Sequence, residues 1–322
     1  MRACCFVAFL LVVSFRLAAG AETPPFHAGV ARPAVTGTGG SPFETLVWYP
    51  TEAKEVAWQA GPFTMYATRN AAIAGGRFPV VLLSHGGGLS GGSPLILREI
   101  SVALARHGFI VIAPFHGKAG LPERVLQVRR ALAAVETDPR FASHIDAARL
   151  GMLGFSLGTA VALELAGAVP NVTHLVAYCA AHPGDVMSCD HAPDGNNGTS
   201  HGSAAAKGAV APLPLKAIVL MDPFAVLFQR PELVGVTMPV LIIRPNQSEL
   251  PAEANATGLA GALPRPPLVE SVPGNHFVFT DICPTALTAS SPELCQDPPG
   301  VNRAAVHATV QAQVIEFFDS HL

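Results

Sequence analysis

Charge is scarce in this chain. Asp, Glu, Lys and Arg make up 13% of its 322 residues, and the formal net charge is −3. No Lys- or Arg-rich run occurs, so the basic footprint of a nucleic-acid-binding protein is missing. Beyond the N-terminal segment no stretch is long and apolar enough for a membrane anchor. Cysteine is sparse as well, and the cysteines beyond that segment lack the spacing of a zinc site. What is abundant is apolar side chain, at 50% of residues. That is interior enough for one large α/β domain.

The N-terminus reads as a targeting segment. Arg2 supplies positive charge, residues 4–15 form an apolar run too short to span a bilayer, and Ala19-Gly20-Ala21 has the small-residue pattern of a cleavage site. The expectation is a signal peptide over 1–21, a mature domain over 22–322, and a secreted or periplasmic location. Cys4 and Cys5 would leave with the signal. Cys179, Cys189, Cys283 and Cys295 remain, an even number that suggests two disulfides in an exported chain. Proximity in sequence favours pairing Cys179 with Cys189 and Cys283 with Cys295.

Strand-like and helix-like segments alternate along the rest. Residues 23–40, rich in Pro, Gly and Thr, read as an arm or loops, and 51–76 give no clear pattern. Strands are expected over 44–50, 78–84, 109–113, 149–153, 217–221, 239–243 and 268–272. The continuous apolar character of runs such as Val80-Val81-Leu82-Leu83 fits a sheet covered on both faces. Helices are expected over 94–107, over 121–136 with Leu121, Val125, Val128, Leu132 and Val135 at helical spacing, over 159–166, and after Asn302 as N-cap, with Val306, Val310, Val314 and Phe317 on one face. Residues 185–214, rich in Gly, Ala, Ser and Asn, read as an insertion or flap. The fold class is therefore α/β, a mostly parallel sheet with helices on both faces, whose chemistry sits at the carboxyl ends of strands.

The chain is organised around Gly154-Phe155-Ser156-Leu157-Gly158, a G-x-S-x-G motif between a strand candidate and an Ala/Leu-rich helix candidate. This strand–turn–helix context exposes a nucleophilic serine on a turn too sharp for side chains at the flanking glycines. A serine hydroxyl needs a base, and the base an orienting acid, in the chain order Ser, Asp or Glu, His. His276, in the loop after the last strand, fits the base. Asp222, at the end of the 217–221 strand, fits the acid, with Glu249 as competitor. Ser84-His85-Gly86-Gly87-Gly88 follows the 78–84 strand where an oxyanion donor is expected, so the donors are assigned to the N–H groups of Gly87 and Leu157. Phe115, Phe155, Phe224 and Phe277 adjoin these positions and are candidates for an apolar pocket wall, or equally for core. His182, Asp185, Asp190, His191, Asp194 and His201 match no metal-ligand spacing, and no metal or cofactor is expected.

Taken together, Trp48-Tyr49-Pro50, the S-H-G turn, Arg106-His107-Gly108-Phe109, the G-F-S-L-G turn, Leu220-Met221-Asp222-Pro223 and Asn275-His276-Phe277 resemble an α/β-hydrolase. The group resembled is the secreted dienelactone-hydrolase-like one related to platelet-activating-factor acetylhydrolases. The resemblance covers the mature chain. It implies metal-free hydrolysis of carboxylic esters, favours Asp222 as triad acid, and favours Gly87 as oxyanion donor. The chain departs from true dienelactone hydrolases in having serine rather than cysteine as nucleophile, and Thr159 where many relatives have a second glycine. A small-molecule or lipid-like ester is the expected substrate. Amide or lactone cleavage, or a non-catalytic exported binding protein on the same scaffold, are the alternatives.

Overall fold

A computed structural model describes residues 24–87, 92–189 and 211–322. The expected signal peptide over 1–21, Gly88, and residues 190–210 of the expected insertion lie outside the described residues. The strands are β1 His27–Ala31, β2 Ala34–Thr36, β3 Pro42–Thr51, β4 Ala57–Ala60, β5 Phe63–Tyr66, β6 Thr68–Arg69, β7 Phe78–Ser84, β8 Ile110–Pro114, β9 Ile145–Phe155, β10 Ala217–Met221, β11 Val240–Pro245 and β12 Leu268–Val272. The α-helices are α1 Arg98–Arg106, α2 Leu121–Thr137, α3 Leu157–Leu165, α4 Val172–Ala181, α5 Val186–Cys189, α6 Ala256–Ala262, α7 Thr285–Ser290, α8 Pro292–Cys295 and α9 Arg303–His321.

The main sheet has the order β12-β11-β10-β9-β7-β8-β3-β1-β6. From β12 to β8 all neighbours are parallel. β3 joins β8 antiparallel, and β1 joins β3 the same way. The continuous apolar runs have their reason in the two cores. Val80 and Leu82 of β7 face one core, with Val125, Val128, Leu132 and Val135 of α2 and Ala160 and Val161 of α3. Val81 and Leu83 face the other, with Ile100 and Leu104 of α1 and Val306, Val310, Val314 and Phe317 of α9. A strand covered on both sides has no face left for polar residues. Asn302 caps α9, accepting from the Ala305 N–H at 3.1 Å.

The segment expected to be an arm is instead strand over much of its length: β1 pairs with β3 and β2 with its start. Residues 51–76 include the β4–β5 hairpin. Disulfides join Cys179 to Cys189, with Cα atoms 5.7 Å apart, and Cys283 to Cys295, 5.6 Å apart. The first ties the end of α4 to α5, and the second clasps the excursion after the His276 loop. Among the described residues no helix is long and apolar enough to cross a membrane.

Candidate active site

β9 ends at Phe155 and α3 starts at Leu157, so Ser156 alone makes the turn between them. Its backbone is held at φ 54° and ψ −124°, a conformation that a residue bearing a Cβ adopts only under constraint. The constraint is visible around it. The Ser156 N–H donates to Met221 O at 3.1 Å. A Cβ on Gly154 would lie 2.5 Å from Gly158 O, and one on Gly158 would lie 1.9 Å from Ser84 O. Both flanking positions of the motif are closed to side chains by backbone, which no rotamer change relieves. Thr159 adds a clamp: its hydroxyl donates to Ser156 O at 2.6 Å and accepts from the Phe224 N–H at 3.0 Å.

β10 is the parallel neighbour of β9, with Met221 opposite Phe155. The residue after each partner, Ser156 and Asp222, therefore emerges at the same edge of the sheet. Asp222 has φ 40°, a left-handed conformation that Asp tolerates better than most. Its Oδ2 lies 2.7 Å from Nδ1 of His276 and accepts from the Ser248 hydroxyl at 2.5 Å. Both members of the Asp–His pair are buried, at 1% and 2% exposure. Nδ1 facing a carboxylate carries the proton, which leaves Nε2 as the ring's acceptor. The ring lies on Phe155, the residue before the serine, with centroids 5.0 Å apart at 27°, and meets the edge of Phe277 at 5.0 Å. Glu249 reaches the same loop by another route. Its Oε2 accepts the backbone N–H of His276 at 2.9 Å, so this carboxylate holds the loop and Asp222 holds the ring. Among the described residues neither Ser156 Oγ nor His276 Nε2 makes a hydrogen bond. Such bonds are often loose before substrate arrives.

The loop after β7 packs against the serine. A Cβ on Gly86 would come within 3.3 Å of both the Phe155 ring and Ser156 Cβ. Gly87 follows it, and Leu157 opens α3, where backbone N–H groups have no partner within the helix. Among the described residues neither N–H is hydrogen-bonded. Beneath this loop lies a buried polar network. Ser84 Oγ meets His116 Nε2 at 2.9 Å, and His116 Nδ1 meets Gln127 Oε1 at 2.7 Å. His85 donates from Nδ1 to Gly86 O at 2.7 Å and accepts the His116 N–H at Nε2, 3.3 Å away. Burial, with the Arg124 guanidinium adding to it, pushes His85 down to about 3. Burial also holds His116 well below its ordinary value, helped by His85 and Arg124. Both rings are neutral over the usual working range.

Behind the His276 loop sits a second cluster. His307 Nε2 meets Val278 O at 2.8 Å and Nδ1 meets Glu99 Oε2 at 3.2 Å. Asp281 accepts from Arg98 at 3.0 Å and from the Glu99 N–H at 3.1 Å. Burial disfavours the charge on His307, but Glu99, Asp281 and the Val278 carbonyl outweigh it and hold the ring above its ordinary value. Glu99, Asp281 and His307 bring ligand atoms within 4.8 Å of one another. Both His307 nitrogens and Asp281 Oδ2 are already hydrogen-bonded, and burial, with Glu99 adding to it, pushes the Asp281 carboxyl up to about 8, so the group is a hydrogen-bonded cluster bracing the loop.

The four phenylalanines proposed as pocket wall divide. Phe155 and Phe224 are 2% exposed and belong to the two cores. Phe115 is partly exposed under the Arg32 guanidinium, and Phe277 stands beside His276. Of the histidines and aspartates that matched no ligand spacing, His182 stacks on Tyr178 and Asp185 accepts the Tyr178 hydroxyl and the Ser188 N–H. Asp190, His191, Asp194 and His201 lie outside the described residues. Sequence reasoning missed Ser248, Arg124, His116 and Gln127. Only the Ser248 position carried a signal, directly after the turn that follows the end of β11.

No family model and no curated protein matches the chain. Among solved structures it is similar to a ferulic acid esterase from Streptomyces cinnamoneus, with 18% sequence identity, 95% of this chain and 92% of that one covered, and a TM-score of 0.58. At that identity the likeness bears on architecture, and together with the parallel sheet and its helices it shows that the chain has the α/β-hydrolase fold.

Proposed function

We propose that the protein is a serine hydrolase of carboxylic esters working through an acyl-enzyme. The observation that carries the reading is the buried 2.7 Å pair of His276 Nδ1 and Asp222 Oδ2, stacked against the residue that precedes a strained, partly exposed serine. In the reaction Ser156 Oγ attacks the ester carbonyl as His276 Nε2 takes its proton. Asp222 keeps the imidazole in the Nδ1–H tautomer and stabilises the imidazolium. The carbonyl oxygen, now anionic, is received by the N–H groups of Gly87 and Leu157, the latter at the positive end of α3. Collapse of the tetrahedral species expels the alcohol, which collects the proton from His276. Water, activated by the same base, then releases the acid.

The substrate is a small-molecule or lipid-like ester, in keeping with the resemblance to the dienelactone-hydrolase-like group and with an esterase as structural neighbour. Residues 1–21 serve as an export signal, 22–322 as the hydrolase domain, and 185–214 as an insertion or flap. Two disulfides accord with export.

The test is turnover of p-nitrophenyl esters of graded acyl length, with Ser156→Ala as control and a fluorophosphonate probe to identify the nucleophile. Hydrolysis lost in Ser156→Ala, and labelling of Ser156 alone, are expected. A folded wild-type protein inert toward every ester, or a Ser156→Ala variant that retains its rate, refutes the proposal.

A further inference from the structure

Arg124 lies in the first turn of α2, far from solvent at 2% exposure, and among the described residues it has no acidic partner. Its guanidinium is spent on backbone carbonyls. Nε donates to Ala119 O at 2.8 Å, and one terminal nitrogen donates to His85 O at 3.0 Å and to Gly86 O at 3.3 Å. Burial pulls it down to about 10, which leaves it charged at neutral pH. A buried cation facing carbonyl dipoles without a counter-charge is destabilising unless it is well hydrogen-bonded. Lysine would supply the charge but not the planar fork that reaches two sites at once.

What the fork holds follows from peptide geometry. The peptide units here are trans, so each carbonyl points opposite to the N–H of the next residue. The Gly86 carbonyl and the Gly87 N–H belong to one such unit, and the His85 carbonyl and the Gly86 N–H to the one before. Drawing the carbonyls inward turns the N–H groups outward. Gly86 O takes a second inward donor from His85 Nδ1 at 2.7 Å, so the orientation is fixed from two sides. The loop could not otherwise hold it: glycine has no Cβ to restrict its rotation, and the loop lies against Ser156 Cβ.

Resting on the serine-hydrolase reading, we propose that Arg124 is a positioning residue: by binding the His85 and Gly86 carbonyls it aims the Gly87 N–H at the oxyanion. It touches no substrate. Its effect belongs to the tetrahedral species rather than to the bound ester, so its loss falls on kcat and spares KM.

The experiment compares Arg124→Gln and Arg124→Lys with wild type, with rates expressed per site titrated by a fluorophosphonate. Removing one oxyanion donor lowers kcat by about 10²–10³, so Arg124→Gln should fall by about 10² and Arg124→Lys by about 10, each with KM within threefold. Affinity for a trifluoromethyl ketone, which mimics the tetrahedral species, should fall in step with kcat/KM. Unchanged kcat per titrated site in both variants, or a raised KM with kcat intact, overturns the proposal. If neither variant folds, the wild type decides: in its trifluoromethyl ketone adduct the Gly87 amide proton should move downfield as it meets the oxyanion, and an unmoved resonance overturns it. Undiminished Arg124 variants beside an inert Ser156→Ala sink this inference alone. A wild type without turnover sinks the hydrolase reading as well.

Discussion

Asp222→Asn tests the assignment of the triad acid most sharply, because the amide fills the same space. In the native site Oδ2 faces His276 Nδ1 at 2.7 Å and the Ser248 hydroxyl at 2.5 Å. Both neighbours donate, so the atom at that position must accept. An amide offers one accepting oxygen and one donating nitrogen. If the oxygen stays at the Oδ2 position, the geometry survives but the charge that stabilises the imidazolium is gone. If the nitrogen takes that position, it forces the proton from Nδ1 to Nε2, and the ring can no longer take the Ser156 proton. Either outcome withdraws the base without emptying the site. Such an exchange lowers kcat by about 10⁴, or about 5 kcal/mol in the barrier. Glu249→Gln is the matched control. Its side chain accepts a backbone N–H at 2.9 Å, and an amide oxygen does the same, so kcat should stay within about threefold of wild type by the small energy of a single neutral exchange. The assay is kcat on a p-nitrophenyl ester, with melting temperatures to show that both variants fold. A crippled Glu249→Gln beside a nearly active Asp222→Asn would mean that the acid comes from the later strand and the reasoning is wrong.

Other expectations concern stability. Replacing both Cys283 and Cys295 by Ser opens a loop with a sequence separation of 12 and should cost about 3 kcal/mol in the chain-entropy model, read by urea unfolding with the native protein as reference. Equal midpoints would show that the clasp adds nothing. Burial pushes the Glu164 carboxyl up to about 7, and its Oε2 has no partner. A raised acid favours the folded state while protonated and loses that advantage as pH rises from its unfolded value through 7. Glu164→Gln should therefore stabilise the fold relative to wild type at pH 8–9 by up to about 2–3 kcal/mol, read from urea unfolding, and much less at pH 5. A difference that does not vary with pH would refute it. In the pair of Glu99 and His307, the ring is held above its ordinary value and, although burial opposes it, His307 holds the carboxylate below its own. The contribution of His307 is whole below its unfolded value and lost as pH climbs through the raised one. That of Glu99 is present above its unfolded value and lost as pH drops through the lowered one. The pair should support the fold most between about pH 5 and 6.5, and His307→Gln should flatten the alkaline side of the stability profile; an unaltered profile would count against the pairing.

The parallel strands were legible because burial on both faces leaves an unbroken apolar run, as in Val80 to Leu83. β1 was not, and Gly29 shows why. A Cβ there would lie 2.3 Å from the Tyr49 ring, so the residue that made the segment read as loop is the one its pairing with β3 requires. α4 was missed because its sequence has no buried stripe: only Leu175 is buried, while Val172 and Val176 are exposed. In the site, Ser156, Asp222 and His276 announced themselves by following strand ends. Phe155 and Phe224 did not announce that they are core, since a phenylalanine beside a reactive residue reads the same either way. Arg124 and Gln127 were invisible for a deeper reason. On α2 they pass for the solvated side of an amphipathic helix, and only the placement of its first turns beneath the 85–87 loop buries them.

The register of β9 on β10 has a consequence for how such a chain can change over time. Ser156 and Asp222 are brought to one edge by a single alignment, Phe155 opposite Met221, although a sequence separation of 65 lies between Thr159 and Phe224 just beyond them. Among the described residues, what lies between the two strands leaves the sheet and returns to the same pair of neighbours. Insertions and deletions within it alter what surrounds the site while the two residues keep their spacing. Within β10 itself there is no such freedom, because one residue gained or lost turns Asp222 to the opposite face. Length variation in this architecture is thus confined to the excursions, and new specificities can be sampled there without rebuilding the chemistry.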